Sequence, residues 1–197
     1  MSDLEVLIDA VEPVDRSLEE EARAHLDDLT KPPGSLGRLE DAAVRYCLAR
    51  GAVSPELGTR EIFVFAGDHG VVQEGVSAYG PEVTAQMVRN MLAGGAAVNV
   101  LARHVGADVH VVDIGVADPL EDAPNLCRRK VRPGTANLAA GPAMKVAEAE
   151  EAVLAGAELA TQAAERGACL LGAGEMGIGN TTPSAALFAA LLPCPVQ

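Results

Sequence analysis

The chain has 197 residues and a formal net charge of -13, which suits one ordinary domain with room for a small appendage. That charge disfavours sequence-independent binding to nucleic acid, whose phosphates demand a basic surface. Apolar residues make up 49% of the chain but aromatics only 3%, and Trp is absent, so the core has to be assembled from Ala, Val, Leu and Ile, as where helices pack closely on a sheet.

The N-terminus Met1-Ser2-Asp3-Leu4-Glu5 is acidic, and no apolar run approaches the ~18 residues that cross a bilayer; a cytoplasmic protein without membrane contact is expected. Ser17-Leu18-Glu19-Glu20 reads as a capping box opening a helix that runs to Leu29. Lys31-Pro32-Pro33-Gly34-Ser35 then breaks it, because neither proline continues a helix and Gly34 permits a sharp turn. A second helix is expected over 36–50, with Ser35 as its N-cap. Residues 1–58 thus read as a helical segment, a small subdomain or dimer contact, and 59–197 as an α/β core.

In that core, 61–66 reads as a buried strand and 81–104 as one helix with Pro81 at its first position. Strand 108–114, helix 145–166, strand 168–171 and helix 182–192 follow, with 115–137 as an irregular excursion rich in Pro, Asp, Asn and Arg. Strands apolar throughout and separated by helices imply a parallel sheet covered on both faces, a doubly wound α/β arrangement. Cys47, Cys127, Cys169 and Cys194 show neither CxxC spacing nor a Cys/His cluster, which argues against a disulfide framework or a structural zinc.

The three strands end alike, in Gly67-Asp68-His69-Gly70, Asp113-Ile114-Gly115 and Gly174-Glu175-Met176-Gly177. Ligands of open parallel sheets bind outside the carboxyl ends of the strands, so these acidic, glycine-flanked corners are expected to meet in one cleft. Asp68-His69 has the make-up of an acid/base pair, or of a hydrogen-bonded structural pair. Tyr79 is one of only two Tyr residues and sits in a loop near the expected cleft, as a wall for an aromatic ligand or as packing under the loop. The stretch from Gly172 to Thr182 reads as a glycine-rich loop that opens a helix, an anion cradle with Asn180 or Thr181 as cap. It lacks the Lys of a phosphate-binding GxxxxGK[ST] loop, and no GxGxxG supports dinucleotide binding.

Five blocks carry a resemblance: Lys31-Pro32-Pro33-Gly34-Ser35-Leu36-Gly37-Arg38-Leu39-Glu40, Ala66-Gly67-Asp68-His69-Gly70-Val71, Glu82-Val83-Thr84-Ala85-Gln86-Met87, Gly141-Pro142-Ala143-Met144 and Gly174-Glu175-Met176-Gly177-Ile178-Gly179-Asn180-Thr181-Thr182-Pro183. In their order they resemble the nicotinate-nucleotide:dimethylbenzimidazole phosphoribosyltransferases. The resemblance implies a Rossmann-like parallel sheet flanked by helices, a small helical N-terminal subdomain, and a homodimer that uses no metal or other cofactor. It implies transfer of the phosphoribosyl group of nicotinate mononucleotide to 5,6-dimethylbenzimidazole. Carried onto this sequence, it gives Glu175 an assisting catalytic role and makes Asp68, His69, Tyr79, Gln86, Met87, Met176, Gly177, Asn180 and Thr181 substrate-binding residues. The family's principal catalytic glutamate and a further glycine-rich segment lie in its C-terminal half, so an incomplete version is expected, with a non-catalytic benzimidazole- or nucleotide-binding fragment as the alternative. Tyr79-Gly80-Pro81 departs from the Tyr-Pro order of many members.

Overall fold

The computed structural model describes residues 2–192, and Cys194 lies outside them. The chain divides into two compact units, Met1–Leu57 and Gly58–Gln197.

The first unit holds helices α1 (Asp3–Asp9), α2 (Glu19–Asp28) and α3 (Arg38–Arg50). A capping box forms at α1, where Ser2 N–H donates to Glu5 Oε2 at 2.7 Å and Ser2 Oγ accepts from Glu5 N–H at 3.3 Å. The box expected at Ser17 does not form. Ser17 turns back to Asp15, donating from both its N–H and its hydroxyl at 2.9 Å, and Leu18 becomes the N-cap of α2. Ala22, Val44, Cys47 and Leu48 make a small core between α2 and α3.

Helix α3 starts two residues later than expected, and its N-cap is Gly37 rather than Ser35. The reason lies in the turns before it. Gly34 has φ of 71° and Gly37 of 55°, and the bonds Ser35 N–H to Pro32 O and Gly37 N–H to Gly34 O close successive tight turns at 3.1 and 3.0 Å. Glu40 holds this loop by accepting from Leu36 N–H at 3.1 Å and pairing with Lys31 Nζ at 2.9 Å.

The second unit is a four-stranded, wholly parallel sheet in the order β3-β2-β1-β4. Its elements are β1 (Thr59–Gly67), α4 (Glu82–Leu92), α5 (Ala97–Val105), β2 (Asp108–Gly115), β3 (Leu126–Arg128), α6 (Val146–Glu165), β4 (Ala168–Met176) and α7 (Thr181–Leu191), with a 3₁₀ turn at Gly70–Glu74. On one face Val64, Ala66 and Val111 pack with Ala85, Val88 and Met91 of α4. On the other, Phe63 and Val112 pack with Leu159 and Ala163 of α6. Gly156 of α6 faces the Phe65 ring, where a β-carbon would make ordinary contact at 3.7 Å.

In this unit five expectations change. The single helix over 81–104 is two helices, because Gly94 adopts φ of 77° and ends α4, while Asn99 Oδ1 accepts from Ala96 N–H at 3.2 Å and opens α5. Pro81 is the N-cap of α4 rather than its first residue. The excursion over 115–137 contains β3, which is only three residues long and carries Arg128, too short and too polar for an alternation signal.

The largest change is at β4, which runs through Gly172-Ala173-Gly174-Glu175-Met176 instead of stopping at Leu171. Gly172 and Gly174 lie against Ile62 and Val64, where a β-carbon would be 3.3 and 3.7 Å away. Gly172 is therefore a place of close packing, Gly174 is in ordinary contact, and the loop proper is only 177–180. Nor is the sheet covered at this edge: Leu170 and Leu171 of β4 are 41% and 45% exposed, and no residue of α7 is buried.

Candidate functional site

The carboxyl ends of β1, β2 and β4 lie side by side, because the parallel register pairs Ala66 with both Asp113 and Met176. Asp68 ties the first two strand ends together. Its N–H donates to Gly115 O at 2.9 Å, its carbonyl accepts from Thr135 N–H at 2.9 Å, and its Oδ2 accepts from Ala117 N–H at 2.7 Å. Asp113 is fully buried and structural: Oδ1 caps Val116 N–H at 3.0 Å, and Lys130 Nζ lies 3.2 Å from Oδ2, at ion-pair distance without hydrogen-bond alignment.

His69 leans from the end of β1 over the loop after β4. A β-carbon on Gly177 would sit 2.7 Å from His69 Nε2 and closer still to the Gly67 carbonyl oxygen, so only glycine fits. Burial pushes the His69 pKa below the ordinary 6.5, and the negative charges of Glu175 and Asp68 offset this only in part. The neutral imidazole is thus the form favoured by the fold. Its contribution to stability is complete above pH 6.5 and is lost as pH falls through the lower folded value. A proton NMR titration is expected to place the His69 midpoint below 6.5; a midpoint at or above it would remove this account.

Glu175 is next to the end of β4 and is exposed. Met176 packs into the α4-side core with Val64 and Ala66, so strand alternation puts Glu175 on the opposite, α6 side. The loop that follows is held by its own backbone. Ile178 N–H donates to Thr84 Oγ1 at 3.1 Å, Asn180 N–H to Gly177 O at 3.0 Å and Thr182 N–H to Gly179 O at 3.2 Å. These three amides are committed, and Asn180 caps α7 by position, without a side-chain hydrogen bond. Thr181 is exposed and lines a shallow groove along α7 with Thr182 and Ala185.

The structure therefore brings Asp68, His69, Glu175 and Gly177 to one end of the sheet. Met87 and Met176 lie among the partly buried side chains packed on the α4-side core. Gln86 is exposed on α4, and Tyr79 is 65% exposed, its N–H bonded to Ser77 Oγ at 3.1 Å.

Two pockets flank Asp68. One of about 320 Å³ is lined by Asp68, His69, Gln73, Pro81, Gly134 and Thr135, among others. The other, about 160 Å³ and largely apolar, has Ile114, Arg132, Met144 and Ala152 in its walls. Gly134 and Thr135 belong to both pockets and were not singled out in the sequence. Their signal was Arg132-Pro133-Gly134-Thr135, a turn with a cation, lost within the irregular stretch. Gly134 needs its φ of 70° to pass Asp68, and Thr135 Oγ1 accepts from Gly70 N–H at 3.2 Å.

Comparison with known proteins fits this arrangement. A family profile described as Phosphoribosyltransferase matches residues 11–197. The chain is 59% identical over 194 residues to the nicotinate-nucleotide–dimethylbenzimidazole phosphoribosyltransferase of Chlorobium chlorochromatii, covering 98% of this chain and 55% of that protein. It is 56% identical over 184 residues to the enzyme of the same name from Geobacter sulfurreducens, covering 93% and 52%. The crystal structure of the phosphoribosyltransferase of that name from Thermus thermophilus superposes with a TM-score of 0.87 at 57% identity, over 92% of this chain and 55% of that one. The chain spans about half the length of the curated relatives it matches. On sequence and fold together, it belongs to the nicotinate-nucleotide–dimethylbenzimidazole phosphoribosyltransferase family.

Proposed function

We propose that the chain serves transfer of the phosphoribosyl group of nicotinate mononucleotide to 5,6-dimethylbenzimidazole, giving α-ribazole 5′-phosphate and nicotinate for the lower ligand of cobalamin. The observation that carries this is the meeting of Asp68 and His69 at the end of β1 with Glu175 and Gly177 at the end of β4, in a chain so similar to enzymes of that name.

Such a transfer needs a proton acceptor near the attacking benzimidazole nitrogen, stabilisation of a cation-like sugar and a hold on the phosphate. Inversion at the sugar requires the acceptor on the face opposite the leaving pyridine, as water stands in inverting glycosidases. Glu175 holds the acceptor or assists the base that takes its proton. His69, neutral near pH 7, offers one ring nitrogen as donor and one as acceptor. The 177–181 segment, with Asn180 and Thr181, faces the phosphate, while Tyr79, Gln86, Met87 and Met176 shape the acceptor side. A cytoplasmic homodimer is the proposed setting.

A second reading, a fragment that binds a benzimidazole or nucleotide without turnover, is favoured by the exposure of Glu175 beside the uncovered edge of β4. Titration calorimetry with dimethylbenzimidazole and nicotinate mononucleotide, paired with a chromatographic assay for α-ribazole 5′-phosphate, separates the two. Turnover supports transfer, and binding alone supports the fragment. Glu175→Gln is expected to weaken dimethylbenzimidazole binding about tenfold, the usual worth of a charged hydrogen bond. Failure of the chain to bind either compound would remove both readings.

A further inference from the structure

Thr84 occupies a place where an apolar side chain would fit. It is fully buried on α4, the helix whose Ala85 and Val88 pack on the sheet. Valine has nearly the same shape, and a hydroxyl taken out of water costs free energy unless it is hydrogen-bonded. The partner of this hydroxyl lies outside the helix: Thr84 Oγ1 accepts from Ile178 N–H at 3.1 Å, across 94 residues of chain. Among the described residues this is the one hydrogen bond between α4 and the loop 177–180.

The loop is approached closely on two other sides, and there the contact is steric. A β-carbon on Gly177 would meet the Gly67 carbonyl oxygen and the His69 ring, and one on Gly179, whose φ is 82°, would lie 2.7 Å from Val72 Cγ2 in the 3₁₀ turn. Steric contact limits how near the loop comes, whereas a hydrogen bond also fixes its direction. Asn180 and Thr182 spend their N–H groups within the segment, on Gly177 O and Gly179 O, so the bond to Thr84 is what orients it from outside. Helix α4 also carries Gln86 and Met87, and the loop leads into Asn180 and Thr181. Thr84 therefore ties together the two elements that bear the proposed acceptor and phosphate sides. Joining two bound substrates depends on holding them in register, and a displacement of about 1 Å is costly in rate.

We propose that Thr84 is a positioning residue: by holding Ile178 N–H it sets the loop 177–180 against α4, so that the two sides of the site are presented together. The identity of the substrates rests on the transferase reading; the tie itself rests on the Thr84–Ile178 bond. Being fully buried, Thr84 acts through the loop rather than by touching a ligand.

The test pairs calorimetric titration of the full chain with nicotinate mononucleotide and NMR hydrogen exchange at the Ile178 amide, in the wild type, Thr84→Val and Thr84→Ser. Thr84→Val keeps the shape and removes the acceptor; it is expected to speed Ile178 exchange and to weaken binding about tenfold. Thr84→Ser keeps the hydroxyl and is expected to restore most of both. Wild-type affinity in Thr84→Val, or a Thr84→Ser variant as weak as Thr84→Val, overturns the positioning role while leaving the transferase reading intact. A wild-type chain that binds neither nicotinate mononucleotide nor dimethylbenzimidazole overturns the transferase reading, and the role in it with it. If Thr84→Val does not fold, the wild type decides alone. Ile178 exchanges only when its bond to Thr84 opens, so if the opened loop does not bind, nicotinate mononucleotide at about ten times its Kd is expected to slow that exchange about tenfold. Exchange unchanged by the bound nucleotide overturns the proposal.

Discussion

Replacing Gly177 by Ala is expected to destabilise the α/β unit by about 1–3 kcal/mol, the usual cost of forcing a group into filled space, and to push the His69 imidazole out of its seat. The added carbon would meet the Gly67 carbonyl oxygen and lie 2.7 and 2.9 Å from His69 Nε2 and Cδ2. The carbonyl is backbone at the end of β1, so the loop itself has to shift, and the ring, a side chain that can turn, is displaced as well. Moved toward solvent, His69 loses the burial that lowers its pKa. Two measurements check this together: a urea denaturation midpoint below that of the wild type, and a His69 titration shifted upward. Wild-type values in both would mean that the ring does not rest on Gly177. Because His69 and Glu175 share this corner, the same variant is expected to weaken ligand binding.

Phe63→Ala is expected to cost more, about 3–5 kcal/mol, the range for emptying a buried aromatic site. Phe63 is 5% exposed and sits in the α6-side core with Val112, Leu159 and Ala163. Its ring also stacks on His110 at a centroid distance of 5.1 Å and an interplanar angle of 21°. With only three Phe in the chain and no Trp, the surrounding Ala and Val side chains are too short to close the cavity. His110 Nε2 and Arg166 Nη2 both lie against Glu61 Oε2, at 3.2 and 2.7 Å, so the cavity would open beside a buried carboxylate. Denaturation of the α/β unit, followed by far-UV circular dichroism, is the measurement. A loss under about 1 kcal/mol would show that α6 does not pack on this part of the sheet. Phe63→Leu, which keeps most of the volume, is expected to fall between the two proteins.

Strands β1 and β2 and helix α6 were legible because each is a run of one period: β-branched residues for the strands, twenty Ala- and Glu-rich residues for the helix. The site was legible in part for the same reason. Once two parallel strands are recognised, their carboxyl ends are known, and Asp68, His69 and Glu175 fall there by position.

What was misread lay where a residue has two uses. Glycines at 172 and 174 signal a loop by composition, but here both lie within β4, with Gly172 tight against Ile62. Ser17 has the spacing of a cap, but Asp15 competes for it at 2.9 Å.

The sequence by itself determined the α/β class, the order of the main strands and helices and the family, because these depend on local periodicity and on motifs contiguous in the chain. Only the tertiary structure decided that Gly134 and Thr135 line pockets beside Asp68, that Asp68 Oδ1 has no partner among the described residues, and that Gly177 is the seat of His69. Each depends on segments at least 49 residues apart along the chain meeting through hydrogen bonds and steric fit, and such meetings leave no periodic trace in a single sequence.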